Sequence, residues 1–390
     1  MACVQEVGQF MKLVTVVGAR PQFIKAAMVS RALIRSGVTE TLVHTGQHYD
    51  FKMSELFFAE LNLACPEYNL GVGSGSHGRQ TSRMLEGIEA VLLDLRPDMV
   101  MTYGDTNSTL AGTLAAAKLH IPVCHVEAGL RSFNRQMPEE INRVLADHMA
   151  DLLFAPTAIA VQNLEREGIP RERIVRSGDV MYDAMLHFAE KAEAVSRVLE
   201  QLKLQRRGYV LATLHRSENT DAPGRLHAIM GGLAEVAQQI PVVLPLHPRT
   251  RKEILRAQIP RVVLERLVVL EPLGYLDMIM LEKHARLIAT DSGGIQKEAY
   301  FHGVPCVTLR GETEWLESLE GGCNQLVFPA SQEIVAARTL EALEQRPVFR
   351  SGVYGDGASA QSIANTVACW DLKTQDMTRL RAGSSVTVSS

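Results

Sequence analysis

Short apolar runs alternate with longer amphipathic segments along the first half of the chain. The apolar runs include KLVTVV, ETLV, DMVMTY, IPVCHV and DLLFA, and the segments between them, such as TSRMLEGIEAVLLDLRPD, repeat apolar residues at helical spacing. Continuous apolar strands are typical of a parallel sheet covered by helices, because both faces of such a sheet are buried. The pattern therefore predicts a βαβα series.

A second series of the same kind follows a long amphipathic stretch, YDAMLHFAEKAEAVSRVLEQLKL, which is long enough to bridge two domains. Its strand-like runs are GYVLATLH, PVVLPLH, LVVLEPL, ARLIATDSGG and PCVTLR. The predicted fold class is α/β, with two Rossmann-like doubly wound domains and a cleft between them. In such folds, ligands bind beyond the carboxyl ends of the strands.

Composition and charge exclude several classes of protein. The chain has 390 residues, of which 46% are hydrophobic and 22% charged, enough for two domains with sizeable cores. Its net charge of -4 gives no reason to expect nucleic acid or membrane binding, and no apolar stretch reaches the ~20 residues of a membrane helix. The histidines and cysteines lack metal-ligand spacing, so we expect no metal. We interpret residues 1–10 as an extension and 373–390 as a mobile tail.

Polar residues follow the predicted strands where the strands end. Asp105 comes shortly after DMVMTY, Glu127 directly after IPVCHV, and His215 directly after GYVLATL. Each has an ordinary explanation as a cap or turn residue. Seven strand ends of this kind, in two domains, instead indicate one cleft rich in Arg, His and carboxylate groups.

The stretch DSGGIQKEA carries the clearest signal for a phosphate site. Ser292, Gly293 and Gly294 lie between a strand and a helix, where backbone N–H groups and the helix dipole attract an anion. Glu298 is about one turn into the helix, where a carboxylate can accept hydrogen bonds from a ribose diol. Basic residues at other strand ends are candidates to neutralise a diphosphate: Arg20, His215 and Arg216.

A glycine-rich segment, GVGSGSHG at 71–78, has the spacing G-x-G-x-x-G. It follows no clear strand and opens no recognisable dinucleotide-binding unit. We therefore interpret it as a loop.

Taken together, the motifs resemble the non-hydrolysing UDP-N-acetylglucosamine 2-epimerases over about residues 12–370. The matching stretches are GARPQFIK, TGQHYD, GDTNSTLAG, HVEAGLRS, MPEEINR, LFAPT, SGDVMYDA, LHRSEN, LHPRT and TDSGGIQKEA. The resemblance implies a GT-B arrangement of a first domain at 1–178 and a UDP-binding domain at 179–359, with a helix at about 360–372 returning to the first. It also implies a cytoplasmic homodimer that uses no cofactor.

The family's reaction is the reversible C2 epimerisation of UDP-N-acetylglucosamine to UDP-N-acetylmannosamine, which supplies cell-surface polysaccharide precursors. The resemblance implies anti elimination of UDP to a 2-acetamidoglucal, followed by re-addition. This chemistry needs a base and an acid on opposite faces of C2, and cations that hold the departing diphosphate. Asp105, Glu127 and Glu139 match the family's catalytic acids, and Lys25 and His215 match residues near the phosphates or the sugar.

The resemblance extends to ligand-binding positions. Gln47, Arg83 and His247 match positions where some bacterial members bind a second, activating UDP-sugar. Glu140 is expected to cap the helix or to pair with Arg143. Four residues match the UDP-binding turn and the ribose contact: Ser292, Gly293, Gly294 and Glu298.

A departure from the common family pattern leaves the substrate open. Residues 309–317 read LRGETEWLE, where many members read LRDTTERPE. Together with GARPQFIKAA, the TEW sequence resembles a branch that acts on UDP-2,3-diacetamido-2,3-dideoxyglucuronic acid. The same reaction on that sugar is therefore an alternative.

Alternatives of another class are a GT-B glycosyltransferase and a catalytically idle nucleotide-sugar sensor. The fold does not separate these from an epimerase. Three carboxylates that follow apolar strands of the first domain favour proton transfer over both.

Overall fold

The computed structural model describes residues 11–47, 61 and 63–370. The extension expected at 1–10 and the tail expected at 373–390 lie outside these residues. None of the helices in the described ranges combines the length and the apolar character needed to cross a membrane.

The strands fall where the apolar runs predict them, with three short additions that lie at sheet edges. Their bounds are β1 (Lys12–Val17), β2 (Thr39–His44), β3 (Tyr68–Asn69), β4 (Met99–Tyr103), β5 (Val123–Val126), β6 (Leu152–Ala155), β7 (Ile174–Arg176), β8 (Val210–Thr213), β9 (Val242–Pro245), β10 (Val268–Leu270), β11 (Leu287–Thr290), β12 (Cys306–Thr308) and β13 (Asn324–Leu326). The strands β3, β7 and β13 have only two or three residues each, too few to show a periodic pattern.

Helices alternate with the strands along most of the described residues. Their bounds are α1 (Arg20–Arg35), α2 (His77–Leu95), α3 (Asn107–Lys118), α4 (Pro138–Met149), α5 (Ala158–Arg166), α6 (Val180–Val195), α7 (Val198–Gln201), α8 (Ser217–Thr220), α9 (Pro223–Val236), α10 (Pro248–Arg256), α11 (Arg261–Leu264), α12 (Tyr275–His284), α13 (Gly293–Phe301), α14 (Gln332–Glu344) and α15 (Ser359–Ala368). Short 3₁₀ segments occur at Arg171–Arg173 and Leu316–Gly322.

The chain divides into two compact units. Unit 1 consists of the described parts of Met1–Gly129, Arg135–Val180 and Ala358–Ser390, and unit 2 of Leu130–Asn134 and Met181–Gly357. The grouping of Leu130–Asn134 with unit 2 had no signal in the sequence. Asn134 Nδ2 donates a hydrogen bond to Glu312 Oε1 at 3.1 Å, which ties this segment to unit 2.

Unit 1 contains a parallel sheet with the strand order β3-β2-β1-β4-β5-β6-β7. Its strands are buried on both faces, as Val14, Val16, Met99 and Met101 are at most 1% exposed. The α15 helix packs on α1, and Arg35 Nη2 donates to Gln361 Oε1 at 3.1 Å.

Unit 2 contains a second parallel sheet, with the order β10-β9-β8-β11-β12-β13. Apolar side chains of β8, β9 and β11 form its core with those of α9 and α14. The prediction of two α/β units with parallel sheets is confirmed. The strand order of each sheet changes direction at one point, which lies between β1 and β4 in unit 1 and between β8 and β11 in unit 2. Ligands bind at such points in folds of this kind.

The long amphipathic stretch forms two helices, α6 and α7, which are separated by Ser196 and Arg197. Ser196 Oγ donates to Asp277 Oδ1 at 2.5 Å and accepts from Val198 N at 3.3 Å, and this competes with the helical backbone pattern. The prediction of a loop at GVGSGSHG is confirmed for residues 71–76, which follow the two-residue strand β3, whereas the last two residues of the segment begin α2 at His77.

One carboxylate joins α6 to α12 in unit 2. Glu193 lies 2.9 Å from Lys283 Nζ, 3.1 Å from His284 Nε2 and 3.3 Å from Arg206 Nη2. The hydrogen bond from Lys283, assisted by His284 and opposed by partial burial, lowers the pKa of Glu193 to about 2. Because the folded pKa lies below the unfolded one, the cluster stabilises the protein above about pH 4.5.

We predict that Glu193→Gln lowers the melting temperature at pH 7 by about 2 °C, since a partly exposed ion cluster contributes about 1 kcal/mol. The difference from wild type should shrink as the pH falls from 4.5 toward 2, where the wild-type carboxylate takes up its proton. Scanning calorimetry at several pH values tests this. Glu200→Gln is the matched control, because Glu200 is 79% exposed and lies 3.9 Å from Arg197. Equal melting-temperature shifts in Glu193→Gln and Glu200→Gln would contradict the stabilising role assigned to the Glu193 cluster.

Candidate active site

The carboxyl ends of β1 and β4 are joined by a buried glutamine. Gln22 Oε1 accepts from the N–H groups of Gly18 at 2.8 Å and Ala19 at 3.0 Å, and Gln22 Nε2 donates to Tyr103 O at 2.7 Å. Gly18 is needed here, because a Cβ would lie 2.1 Å from Ser108 Oγ. These contacts fix the start of α1, whose first residue is Arg20.

Lys25 and Glu127 form an ion pair at this edge of the sheet. Lys25 Nζ lies 2.5 Å from Glu127 Oε1, and the two side chains are 6% and 11% exposed. Glu127 has φ +73°, a left-handed conformation that is strained for a residue with a side chain. A Cβ on Gly104 would lie 3.4 Å from Glu127 Oε1 and 3.5 Å from Lys25 Nζ. The ion pair therefore lies directly beside the turn that carries Asp105.

A buried arginine joins Asp105 to Glu140. Arg143 Nη2 lies 2.6 Å from Asp105 Oδ2, and Arg143 Nη1 lies 3.1 Å from Glu140 Oε2. The expected pairing of Glu140 with Arg143 is confirmed. Asp105 is 29% exposed and is not a helix cap, because Thr106 Oγ1 accepts the capping hydrogen bond from Thr109 N. Its carboxylate is therefore both anchored and accessible.

The other predicted residues of unit 1 lie near helix starts or on α2. Glu139 is half-buried in the first turn of α4, next to Glu140. Gln47 Oε1 accepts from Ser108 Oγ at 2.7 Å, at the start of α3. Arg83 is exposed on α2 and donates from Nη1 to Val72 O at 3.2 Å.

Asp291 organises the corresponding edge of unit 2. Its carboxylate accepts from the backbone N–H groups of His215 at 3.0 Å and Arg216 at 3.1 Å, and from Asn219 Nδ2 at 3.2 Å. His215 Nδ1 lies 3.1 Å from Asp291 Oδ1. Burial by itself would raise the pKa of Asp291, but the hydrogen bonds and charge of His215 and the backbone N–H groups lower it below its usual value. The His215 ring stays half-exposed, so it can contact a ligand.

The predicted phosphate turn forms the start of α13. Ser292 caps this helix, since its Oγ accepts from Ile295 N at 3.4 Å. Gly293 lies against the buried Glu314, whose Oε1 would be 2.3 Å from a Cβ at this position. Glu298 is 8% exposed on the same helix.

His247 caps α10 and lies near the predicted diphosphate residues. Its Nδ1 accepts from Arg249 N at 3.3 Å. Burial and the charges of His215 and Arg249 lower the pKa of His247. The structure therefore brings His215 and His247 together in unit 2.

Three supporting residues were not assigned from the sequence. Asp291 directly follows a strand, so it was among the polar residues found at strand ends. The sequence did not show that its carboxylate accepts a hydrogen bond from the backbone N–H of His215. Arg310 and Glu314 form a buried pair, with Nη1 3.2 Å from Oε2, behind Gly293. No local sequence pattern marks this pair, because only the folded chain brings it to α13.

No group of three or more His, Cys, Asp or Glu side chains that could hold a metal ion occurs within 11–47, 61 and 63–370.

Two Rossmann-like α/β units with parallel sheets, and their similarity to solved structures of the same architecture, place the chain in the GT-B fold class. More specifically, the chain belongs to the UDP-N-acetylglucosamine 2-epimerase family, whose model matches residues 31–368. It is therefore an isomerase, and the family resemblance seen in its motifs is confirmed.

Individual relatives match over nearly their whole length. A UDP-2,3-diacetamido-2,3-dideoxy-D-glucuronate 2-epimerase of Pseudomonas aeruginosa is 50% identical over 363 residues, covering 92% of this chain and 99% of the relative. A UDP-N-acetylglucosamine 2-epimerase of Methanocaldococcus jannaschii is 44% identical over 360 residues, covering 90% and 98%. The crystal structure of the Methanocaldococcus jannaschii UDP-GlcNAc 2-epimerase with UDP-GlcNAc and UDP has a TM-score of 0.85 and 43% identity, and the match covers 92% of this chain and 99% of that one.

We predict that Gly293→Ala destabilises unit 2 by about 1–3 kcal/mol, because the new methyl group collides with the buried Glu314 carboxylate. Gly294→Ala is the matched control, since the nearest atom to its Cβ would be Ser292 Oγ at 3.8 Å. Thermal unfolding of both variants provides the measurement. A Gly293→Ala melting temperature equal to that of Gly294→Ala would show that Glu314 does not constrain this turn.

Proposed function

We propose that this protein inverts C2 of a UDP-2-acetamido sugar by eliminating UDP and adding it back. The reaction would interconvert UDP-N-acetylglucosamine and UDP-N-acetylmannosamine through a 2-acetamidoglucal, in the synthesis of cell-surface polysaccharide precursors. The observation that carries the proposal is the placement of Asp105 and Glu127 after the neighbouring strands β4 and β5, each paired with a buried cation. The family membership supports the same reaction.

The three carboxylates of unit 1 are assigned to proton transfer. One takes the proton from C2, and the C–H electron pair forms the C1–C2 double bond while the C1–O electron pair leaves with UDP. Another gives a proton to the opposite face of C2 when UDP adds back to C1, and proton exchange with water then restores both carboxylates. The ion pairs of Glu127 and Asp105 each engage one carboxylate oxygen, which orients the group for transfer. Glu139, in the first turn of α4, is the third carboxylate.

Residues of unit 2 are assigned to UDP. The diphosphate gains negative charge as the C1–O bond breaks, so cations and backbone N–H groups stabilise the transition state. The turn at Ser292–Gly294 would bind phosphate, and Glu298 would bind the ribose. His215 and Arg216, held by Asp291, would contact the diphosphate. Arg20, the first residue of α1, has its own assignment to UDP from the family resemblance. Lys25 would assist by neutralising Glu127.

A second candidate substrate is UDP-2,3-diacetamido-2,3-dideoxyglucuronic acid. The Pseudomonas aeruginosa relative that is named for this sugar is 50% identical, whereas the Methanocaldococcus jannaschii relative is 44% identical. The loop at 309–317 also differs from the common family pattern, and Lys297 Nζ lies 4.0 Å from the centre of its Trp315 ring. The chemistry at C2 would be unchanged.

The remaining parts of the proposal rest on the family resemblance. The protein would act in the cytoplasm as a homodimer, and no redox cofactor is required because elimination and re-addition of UDP pass through no oxidised sugar intermediate. Gln47, Arg83 and His247 would bind a second UDP-sugar as an activator. Kinetics that are hyperbolic at every UDP-sugar concentration would contradict this second site.

Proton NMR in D₂O should show the loss of the C2 proton signal and the appearance of a manno-configured UDP-sugar. The two candidate substrates are incubated separately with equal amounts of enzyme. The sugar with the larger kcat/KM identifies the substrate. If both sugars stay unchanged while UDP binds, the epimerase proposal is wrong and sugar transfer or sensing takes its place.

Replacing the assigned acids should slow the inversion at C2. Asp105→Asn, Glu127→Gln and Glu139→Gln are each expected to lower kcat by about 10²–10⁴-fold, the usual contribution of a positioned acid or base. The control is Glu172→Gln, because Glu172 is exposed in a 3₁₀ segment away from the strand ends. A variant with the wild-type kcat would remove that residue from the mechanism.

A further inference from the structure

A histidine and an aspartate are completely buried beneath the proposed proton-transfer residues of unit 1. His125 lies on β5 and Asp147 on α4, and both side chains are 0% exposed. Two ionisable groups without access to water need internal hydrogen-bonding partners. The hydrogen-bonding partners of His125 and Asp147 therefore show which parts of the backbone the pair holds in place.

Both ring nitrogens of His125 face hydrogen-bond acceptors. Nδ1 lies 2.7 Å from Asp147 Oδ1, and Nε2 lies 2.7 Å from the carbonyl oxygen of Gly104. A backbone carbonyl can only accept, so Nε2 carries a hydrogen and donates it to Gly104. The ring thereby holds the residue that precedes Asp105.

Asp147 holds the turn that follows Glu127. Its Oδ2 accepts from Gly129 N at 3.0 Å. Gly129 has φ +83°, and a Cβ there would lie 2.3 Å from Ala160 O, so only glycine fits. Glu127 itself is left-handed, and the hydrogen bond at Gly129 helps to hold this unusual backbone in place.

We infer that the His125–Asp147 pair is a positioning device that sets the spacing between the Asp105 turn and the Glu127 turn. One side chain anchors the residue before Asp105, the other anchors the second residue after Glu127, and a 2.7 Å hydrogen bond joins them. The inference rests on the proposed function, which requires acids on both faces of C2. Neither His125 nor Asp147 is assigned a contact with the substrate.

If these two positions served only to fill the interior of unit 1, His125 and Asp147 would not be needed there. Apolar side chains of similar size fill a buried space without the desolvation cost of ionisable groups. The pair instead makes directional hydrogen bonds to backbone groups at two strand ends. Small displacements of catalytic groups, on the order of 1 Å, lower rates by about 10²-fold.

The test compares His125→Phe with His125→Gln in the full-length protein. Phenylalanine keeps the ring but removes both hydrogen bonds, and we expect kcat for C2 inversion to fall by about 10–100-fold. The glutamine amide can replace Nε2–H opposite Gly104, so part of the activity should return. KM and the calorimetric Kd for UDP should stay within about twofold, because the residues assigned to UDP lie mainly in unit 2.

The matched control is Cys124→Ala, which truncates a fully buried side chain of the same strand beside His125. Melting temperatures of all variants separate a loss of stability from a loss of positioning. A folded His125→Phe protein with the wild-type kcat would overturn the inference. So would a loss of activity in Cys124→Ala equal to that in His125→Phe at matched stability. If His125→Phe does not fold, His125→Gln takes its place in the test, and its kcat and KM for C2 inversion are compared with those of the wild type in the same way.

Hydrogen exchange separates this inference from the proposed function, because it needs no turnover. The Gly129 amide should exchange about tenfold faster in His125→Phe, since Asp147 then loses the ring that orients it. The Gly129 amide could exchange faster in His125→Phe while the wild-type protein shows no turnover. That result would contradict the epimerase reaction but would still support the anchoring of the two turns by His125 and Asp147. Unchanged exchange would overturn the anchoring itself.

Discussion

Buried cations at the carboxyl edge of the first sheet constrain unit 1 more than any other feature. Lys25 is 5% exposed and Arg143 is 2% exposed, and a buried charge costs several kcal/mol unless it is paired. Lys25 is paired with Glu127, while Arg143 is shared by Asp105 and Glu140. The carboxylates meet these cations from left-handed turns, since Glu127 has φ +73° and Gly104, the residue before Asp105, has φ +62°.

Such pairs are weak evidence for stability, since well-packed apolar residues often serve a fold equally well. Their presence at two neighbouring strand ends fits the proposed proton transfer at C2. Proton transfer at carbon needs carboxylates that are held in one orientation but not fully enclosed. Asp105 meets this condition, with one oxygen on Arg143 and 29% of its side chain exposed.

In unit 2 the side chain that holds the strand-end residues in place is an anion rather than a cation. Its organising group is the anion Asp291, which gathers backbone N–H groups and the ring of His215 around one carboxylate. The ring and the turn at Ser292–Gly294 then present positive charge and N–H groups. The two sheets share the same parallel topology, but one carries carboxylates held by cations and the other carries donors held by a carboxylate.

Most of the fold could be predicted from the chain, because continuous apolar runs reveal buried parallel strands and the polar residues after them mark one edge. The family motifs and the residues at the strand ends were recognisable for the same reason. The short strands β3, β7 and β13 and the break at Ser196 were not, because two or three residues carry no period and a side-chain hydrogen bond to Asp277 is a long-range contact.

The sequence by itself thus determined the α/β class, the order of the elements and the chemical types at the strand ends, since these depend on local patterns of apolar and polar residues. Only the tertiary structure decided that Arg143 joins Asp105 to Glu140, that Glu314 lies behind Gly293, and that His125 and Asp147 join two turns. Those contacts connect residues from separate elements of the chain. They follow from how strands and helices pack, which no local pattern records.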